Sequence, residues 1–364
     1  MLTNDNAGEA VTVARADATL VSVHNEWDPL EEMIVGTADG AQVPRPDLGV
    51  FALDYREHHG SPAEMPSGPY AQRVVEEANE DLERFVEVLA DAGVVVRRPA
   101  KTDHTRVFGT PDWSIDGEFN YCPRDILLAV GRTIIEAPMT LRSRMFESFA
   151  YKDLLLEYFE SGANWISAPK PRLRDEIYDL DCGDGPALRD LEPVFDAANV
   201  LRVGRDILYQ VSSSGNMLGC RWLARVLGDD YRVHPVRDVY MGTHLDTTIA
   251  LVRPGLVVIN PERMRPDQIP APLAGWDVIW CPEMVDTGYA WDYPRASIWQ
   301  GMNLVMIDPC TAVVNELQRP LMRELERAGV DVVALPMRQA RTLSGGFHCV
   351  SLDVRRRGEL EDYS

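Results

Sequence analysis

No apolar stretch in this 364-residue chain approaches the roughly 20 residues needed to cross a bilayer; runs such as Ile126-Leu127-Leu128-Ala129-Val130 are far too short. A membrane partner is therefore not expected. Basic residues are scarce as well: 36 Lys plus Arg stand against 57 Asp plus Glu, a net charge of −21. Phosphodiester backbones are held by clustered cations, so nucleic acid is excluded as a partner. Residues 1 to 18 carry Asp5, Glu9 and Asp17 and lack a long apolar core, so no export signal is expected and the cytoplasm is the expected compartment. Cysteine is sparse, at positions 122, 182, 220, 281, 310 and 349, and no two lie close enough for a Cys-x-x-Cys metal or redox pair. Each reads as a small buried apolar residue unless an argument promotes it. A Walker A loop, a Gly-x-Gly-x-x-Gly fingerprint and His-Glu-x-x-His are all missing, which removes the commonest nucleotide and zinc chemistries. The acidic stretch from Asp179 to Gly185 lacks the downstream Glu of a calcium loop and reads as a solvated turn.

What is present is a repeat. A helix ending in Gly, followed by a short strand that closes on Pro, recurs at Gly93 to Pro99, Gly162 to Pro169, Gly228 to Pro235, Gly275 to Pro282 and Gly329 to Pro336. Gly suits the left-handed position past a helix end, and Pro cannot extend a central strand. Val74, Val75, Ala78, Leu82, Phe85, Val86 and Leu89 place apolar groups at helical spacing from Gln72 to Ala92. Residues 141 to 161, 216 to 227 and 315 to 328 behave alike, with Pro320 in the first turn of the last helix. Pro270 and Pro272 leave room for only a short helix in the fourth copy. Apolar strand candidates lie upstream of each helix, at Met33 to Val35, Ile126 to Val130, Ile207 to Tyr209, Leu256 to Ile259 and Leu304 to Ile307. The fold class is α/β. One such unit cannot cover its own sheet, so neighbours must, either as a closed ring or as an open sheet whose elements share helix-stop grammar.

One unusual polar residue falls at a comparable place in each unit: Asp125, Asp196, His244, Ser297 and Cys349. In a ring such positions converge on the axis. Cys349 follows Gly345-Gly346, which would let backbone approach a ligand closely. As a nucleophile it would need a nearby base or cation, because an ordinary thiol is mostly protonated at neutral pH. His244 is a possible base, and strand alternation would put it on the same face as Asp246. Asp196 is an acid in an apolar run and Asp125 directly precedes an apolar strand, where it could equally be a cap. A thiol, an imidazole and buried acids suit attack on a cationic planar carbon such as a guanidinium, which paired carboxylates can grip.

Phe195-Asp196-Ala197-Ala198, His244-Leu245-Asp246-Thr247, Asn260-Pro261-Glu262-Arg263, Gly345-Gly346-Phe347-His348-Cys349 and Asp353 to Gly358 resemble the arginine amidinotransferase family. So do Ile135 to Met139, Arg142-Ser143-Arg144 and Ser167 to Pro171, and the likeness runs from about Leu20 to the last residue. Within the family, Leu20 to Glu32 looks closest to the inosamine-phosphate branch of streptomycin-type antibiotic pathways rather than the glycine branch. The resemblance implies a five-bladed α/β propeller, the pentein fold, built of ββαβ modules with pseudo-fivefold symmetry. It implies one catalytic domain over residues 20–364 and a flexible arm over 1–19, with a homodimer as the assembly the resemblance suggests. Carried over by position, Cys349 is the nucleophile, His244 the general acid/base and Asp196 its orienting partner. Asp125 and Asp246 hold the guanidinium, Arg263 partners the donor's carboxylate and Ser297 binds substrate. The implied reaction moves an amidino group from L-arginine through the cysteine to an amine, an inosamine phosphate foremost, with neither metal nor organic cofactor. Glycine or another amine, or water in a deiminase-type hydrolase, are the alternatives, and a non-catalytic binding ring is a third. Two departures from the glycine enzymes stand out: Ala296-Ser297 replaces two serines, and Ser344-Gly345-Gly346 replaces three glycines.

Overall fold

The computed structural model describes residues 20–290 and 295–364. The arm expected over residues 1–19 lies outside the described residues. Among those described, no helix is long and apolar enough to cross a membrane.

Among the described residues, the strands form two short two-stranded ladders, Gln42–Val43 with Gly68–Pro69 and Phe108–Gly109 with Ser114–Ile115, and five three-stranded sheets of one pattern. In each, the middle strand pairs antiparallel with one neighbour and parallel with the other, the parallel partner arriving after the intervening helical segment. Four sheets are contiguous in sequence: Leu127–Val130, Thr133–Glu136 and Asn164–Ser167; Val200–Val203, Asp206–Gln210 and Arg232–Val236; Ile249–Arg253, Leu256–Ile259 and Asp277–Trp280; Val305–Asp308, Thr311–Asn315 and Asp331–Leu335. The fifth is assembled from both ends of the described chain, with Leu30–Val35 between Ser351–Arg356 and Val95–Arg97. Each unit thus holds one strand more than the apolar runs alone supplied. The reason is burial. Leu127–Val130 and Val200–Val203 are buried at every position, whereas the outer Asn164–Ser167 and Asp277–Trp280 are exposed at their ends. A hairpin of two short buried strands merges into one continuous apolar signal.

All five glycines that open the repeated strands are left-handed, with φ of 81°, 99°, 69°, 89° and 77° at Gly93, Gly162, Gly228, Gly275 and Gly329. The helix Gln72–Asp91 buries Val74, Ala78, Leu82, Phe85 and Leu89 as a single stripe. Met217–Leu227 matches its expected span, whereas the last helix is shorter than expected, Arg319–Arg327, because Asn315 still belongs to the strand Thr311–Asn315; Pro320 lies in its first turn. The fourth unit has only two short 3-10 turns, Pro266–Gln268 and Ala271–Leu273. Residues 141 to 161 differ from expectation: 3-10 turns at Arg142–Arg144 and Glu147–Tyr151 precede an α-helix limited to Lys152–Glu160. The charges explain this. Arg144 and Glu147 are both buried and bonded to each other at 2.7 Å, and Arg144 also reaches Asp125 at 2.6 Å, a distant partner that helical periodicity does not register.

Three apolar clusters join the sheets. One contains Ile34, Leu352, Leu128, Ile134, Val200 and Ile207; another Leu201, Leu208, Leu251, Val257, Met306 and Val314; the third Val305 and Val313 with Met33 and Val35. Gly36, just past the strand Leu30–Val35, lies so close to the segment leading to Asp125 that an added Cβ would sit 2.0 Å from the Tyr121 carbonyl oxygen. Gly36→Ala is therefore expected to lower the unfolding free energy by about 1–3 kcal/mol. Denaturant melts check it, and an unchanged midpoint would mean that the contact relaxes freely.

Candidate active site

Each sheet's buried edge strand is preceded by one of the candidate residues. Asp125 lies in the helical turn Pro123–Ile126 before Leu127, and Asp196 immediately precedes the 3-10 turn Ala197–Asn199 before Val200. His244 and Asp246 sit in the loop before Ile249, Ser297 immediately precedes the 3-10 turn Ile298–Met302 before Val305, and Cys349 occupies the turn before Ser351. His244 is not on a strand, so alternation does not account for its relation to Asp246. Its backbone is left-handed, with φ of 65°. The loop is pinned there by its N–H donating to Ser214 Oγ at 3.0 Å and by the Leu245 N–H donating to the Ala198 carbonyl at 3.2 Å.

The side chains converge. Cys349 Sγ donates to Asp246 Oδ2 at 3.3 Å and receives the Gln300 Nε2 amide at 3.5 Å. His244 Nε2 lies 3.2 Å from Asp196 Oδ2, and its Nδ1 faces Asp125 Oδ1 at 3.6 Å. Asp196 is held in turn by the Thr140 N–H and hydroxyl, each donating to Oδ1 at 2.9 Å. Arg263 donates to the Thr247 carbonyl and hydroxyl at 3.0 and 2.6 Å and to Ser297 Oγ at 2.8 Å, with its guanidinium 3.6 Å above the Tyr240 ring. His244, Asp246, Arg263, Ser297 and Cys349 line one pocket of about 380 Å³. Asp125 and Asp196 stand behind it against His244.

The carboxylates divide their oxygens. Asp125 Oδ2 is taken by Arg144 at 2.6 Å, and Asp246 Oδ2 by His348 Nδ1 at 2.9 Å as well as by the thiol. The remaining oxygen of each, Oδ1, is buried and accepts no hydrogen bond from the protein. Buried carboxylate oxygens in that condition are costly unless a donor arrives.

Sequence reasoning passed over several residues that build this site. His348 bridges Asp246 to Glu26, and Glu26 is bonded to Arg202 at 2.7 Å; adjacency to Cys349 was its only signal. Arg144 carried no signal beyond its place in a family motif, and Gln300 and Asn303 carried none. Asn303 Oδ1 accepts the Cys349 N–H at 3.0 Å. The glycines at 345 and 346 serve this packing. A Cβ on Gly346 would meet Asn303 Cβ at 2.7 Å, and one on Gly345 would meet Cys122 Sγ at 2.7 Å. Ser344 has φ of 58°, the region where glycine has no Cβ penalty.

Charge sets the resting protonation. Burial and the Asp246 carboxylate push the Cys349 thiol well above its ordinary range. Burial works against the His244 imidazolium, but Asp125 and Asp196 outweigh it and lift the imidazole to about 9. Asp246 is drawn down to about 2, because the His348 bond and charge overcome burial. Since His244 titrates higher folded than unfolded, its contribution to stability is complete below about pH 6.5 and fades as pH rises through about 9. Denaturant melts from pH 6 to 10 are expected to show this decline, reduced in His244→Asn. Parallel profiles for the two proteins would remove His244 as its source.

Among the described residues, no group of three or more His, Cys, Asp or Glu is arranged to hold a metal ion. No protein-family model matches the chain. It is 56% identical over 345 residues to inosamine-phosphate amidinotransferase 1 of Streptomyces glaucescens, covering 95% of this chain and 99% of that protein. It is 38% identical over 351 residues to the L-arginine:L-lysine amidinotransferase of Pseudomonas savastanoi pv. phaseolicola, covering 94% and 96%. Among solved structures, inosamine-phosphate amidinotransferase StrB1 from Streptomyces griseus superimposes with a TM-score of 0.94 at 55% identity, over 95% of this chain and 99% of that one. With likeness of sequence and of structure both extending over nearly its whole length, the chain belongs to the amidinotransferase family.

Proposed function

We propose that this protein moves the amidino group of L-arginine, through a covalent intermediate on Cys349, to the amino group of an inosamine phosphate such as scyllo-inosamine 4-phosphate, releasing L-ornithine. One observation carries the chemistry: a buried thiol donates to Asp246 and feels the charge of Asp125 behind it, and each of these carboxylates keeps one oxygen without a hydrogen-bond donor. A guanidinium is a planar cation rich in N–H donors, and it satisfies both oxygens at once. The acceptor follows from the relatives' names and from the residues at Leu20 to Glu32 and Ala296.

The steps follow from the geometry. Arginine's guanidinium lies against Asp125 and Asp246, and its carboxylate meets Arg263, whose guanidinium is fixed by Thr247, Ser297 and Tyr240. The arriving cation cancels the negative charge that holds the thiol protonated, so the thiol can lose its proton as sulfur attacks the central carbon. The S–C bond forms and the C–N bond to the ornithine nitrogen breaks. The imidazolium of His244, held by Asp196, gives that nitrogen its proton and recovers the proton that the thiol loses. Ornithine leaves with a neutral amine at the cleaved end, and a cationic amidino group stays on sulfur. The acceptor amine then attacks that carbon and the S–C bond breaks; His244 gives its proton to the departing sulfur and takes the one that the acceptor nitrogen sheds, so the thiol and the imidazolium are both restored.

The five sheets are read as the blades of a closed α/β propeller of ββαβ modules, with residues 20–364 as one catalytic body in the cytoplasm. Apolar clusters that bridge each sheet to the next in chain order, and the last to the first, support this arrangement. Product analysis tests the function. With L-arginine and scyllo-inosamine 4-phosphate, equimolar ornithine and guanidinylated acceptor are expected. Citrulline with ammonia would make the protein a hydrolase, and glycine outperforming the inosamine phosphate at saturating arginine would move it to the other branch.

A further inference from the structure

An acceptor that carries a phosphate needs a cation that the arginine-binding pocket does not spare. The Cys349 pocket opens into a vestibule of about 1,470 Å³, and Tyr240, Thr243, Arg263, Arg295, Ala296 and Ser297 line both. Three arginines face the vestibule: Arg56, Arg263 and Arg295. Arg295 is committed, since it is bonded to Asp54 at 2.8 Å and paired with buried Glu118. Arg263 is anchored beside the thiol pocket by Thr247, Ser297 and Tyr240.

Arg56 differs. Its guanidinium donates to the Cys182 sulfur, a weak acceptor that orients it without neutralising it. None of the ion pairs among the described residues takes it up; Asp179, which feels its charge, is bonded to Arg189 at 3.0 Å. A π-helical turn, Phe51–Tyr55, delivers it, and the same turn delivers Asp54 to Arg295. Such turns interrupt regular helix and recur at functional sites. The chain's net charge of −21 repels a phosphate at long range, so an uncommitted guanidinium at this mouth has a selective effect.

Resting on the amidinotransferase reading above, we infer that Arg56 forms the phosphate subsite for the acceptor, gripping the phosphate in the vestibule while the acceptor's amine reaches the carbon on Cys349. Charge-assisted bonds to phosphate are strong, and bidentate geometry makes Arg suited to them. His58, two residues on, lines the same mouth.

The test compares scyllo-inosamine 4-phosphate with unphosphorylated scyllo-inosamine, L-arginine being the donor. The wild type is expected to favour the phosphorylated acceptor. Arg56→Gln is expected to lower its kcat/KM about 10- to 100-fold, with little change for the unphosphorylated one, and Arg56→Lys to recover part of the loss. Ornithine release in a single turnover without acceptor reports that the fold and the arginine pocket survive. A phosphate preference undiminished in Arg56→Gln overturns the subsite, and so does one that is lost only in Arg263→Gln. Inorganic phosphate separates this inference from the choice of acceptor. If the wild type uses neither inosamine but inorganic phosphate inhibits transfer to another amine, relief in Arg56→Gln upholds the subsite and abandons the inosamine. Inhibition equal in both proteins abandons the subsite.

Discussion

Cys349→Ala is expected to eliminate turnover, a fall of about 10⁴-fold or more, because the proposed mechanism has no other place to store the amidino group between donor and acceptor. The structure separates this loss from unfolding. Cys349 is buried, yet its backbone N–H bond to Asn303 Oδ1 at 3.0 Å does not depend on the side chain. Removing a single sulfur atom from that turn is expected to change stability by no more than about 1–2 kcal/mol. The variant should still bind arginine, since Asp125, Asp246 and Arg263 remain. Mass spectrometry of wild type with arginine alone should show an amidino adduct on the peptide containing Cys349, which the variant lacks. Retention of more than a trace of transfer by Cys349→Ala would exclude the thiol from the reaction path.

Asp246→Asn is expected to lower kcat/KM for arginine about 10²- to 10³-fold. The carboxylate accepts from His348 and from the Cys349 thiol through one oxygen, while the other has no protein donor. An amide at this position can accept on one side only and presents its own N–H groups to a ligand that is all donors. The second oxygen's bond to the guanidinium is therefore replaced by repulsion, or else the contact to His348 is. Stability provides the cross-check. Asp246 titrates near 2 in the fold, so its contribution is present above about pH 4 and disappears as pH falls toward 2. The variant's melting temperature should therefore depend less on acid than the wild type's. Wild-type arginine affinity in Asp246→Asn would exclude the clamp.

Local grammar made the repeat legible: five glycines past helix ends, each in the left-handed region the sequence argument required, and apolar runs at each hairpin. Chemistry concentrated at unusual polar residues made Asp125, Asp196, His244 and Cys349 legible, because acids, an imidazole and a thiol beside apolar strands stand out by composition. What escaped was set by distant partners. The break between Leu141 and Lys152 comes from Arg144 reaching Asp125, a pair that helical periodicity cannot register. The left-handed backbone of His244 depends on Ser214 and Ala198, and the position of His348 depends on Glu26, on the far side of the sequence. Gln300 and Asn303 are ordinary polar residues in a short turn and acquire meaning only beside Cys349.

The sheet built from Leu30–Val35 and Ser351–Arg356 has a consequence for how the enzyme comes into being. On the ribosome, the four sheets whose strands are contiguous can pair soon after they emerge, since their contacts are close in sequence. Leu30–Val35 must wait with one edge open until Ser351–Arg356 has been made, and Cys349 is translated only just before that strand. A nascent chain therefore holds the carboxylates and the imidazole long before it holds the thiol. It holds the full set of candidate catalytic groups only once Ser351–Arg356 has been made and paired, when the edge that could have paired with a neighbouring chain is also closed.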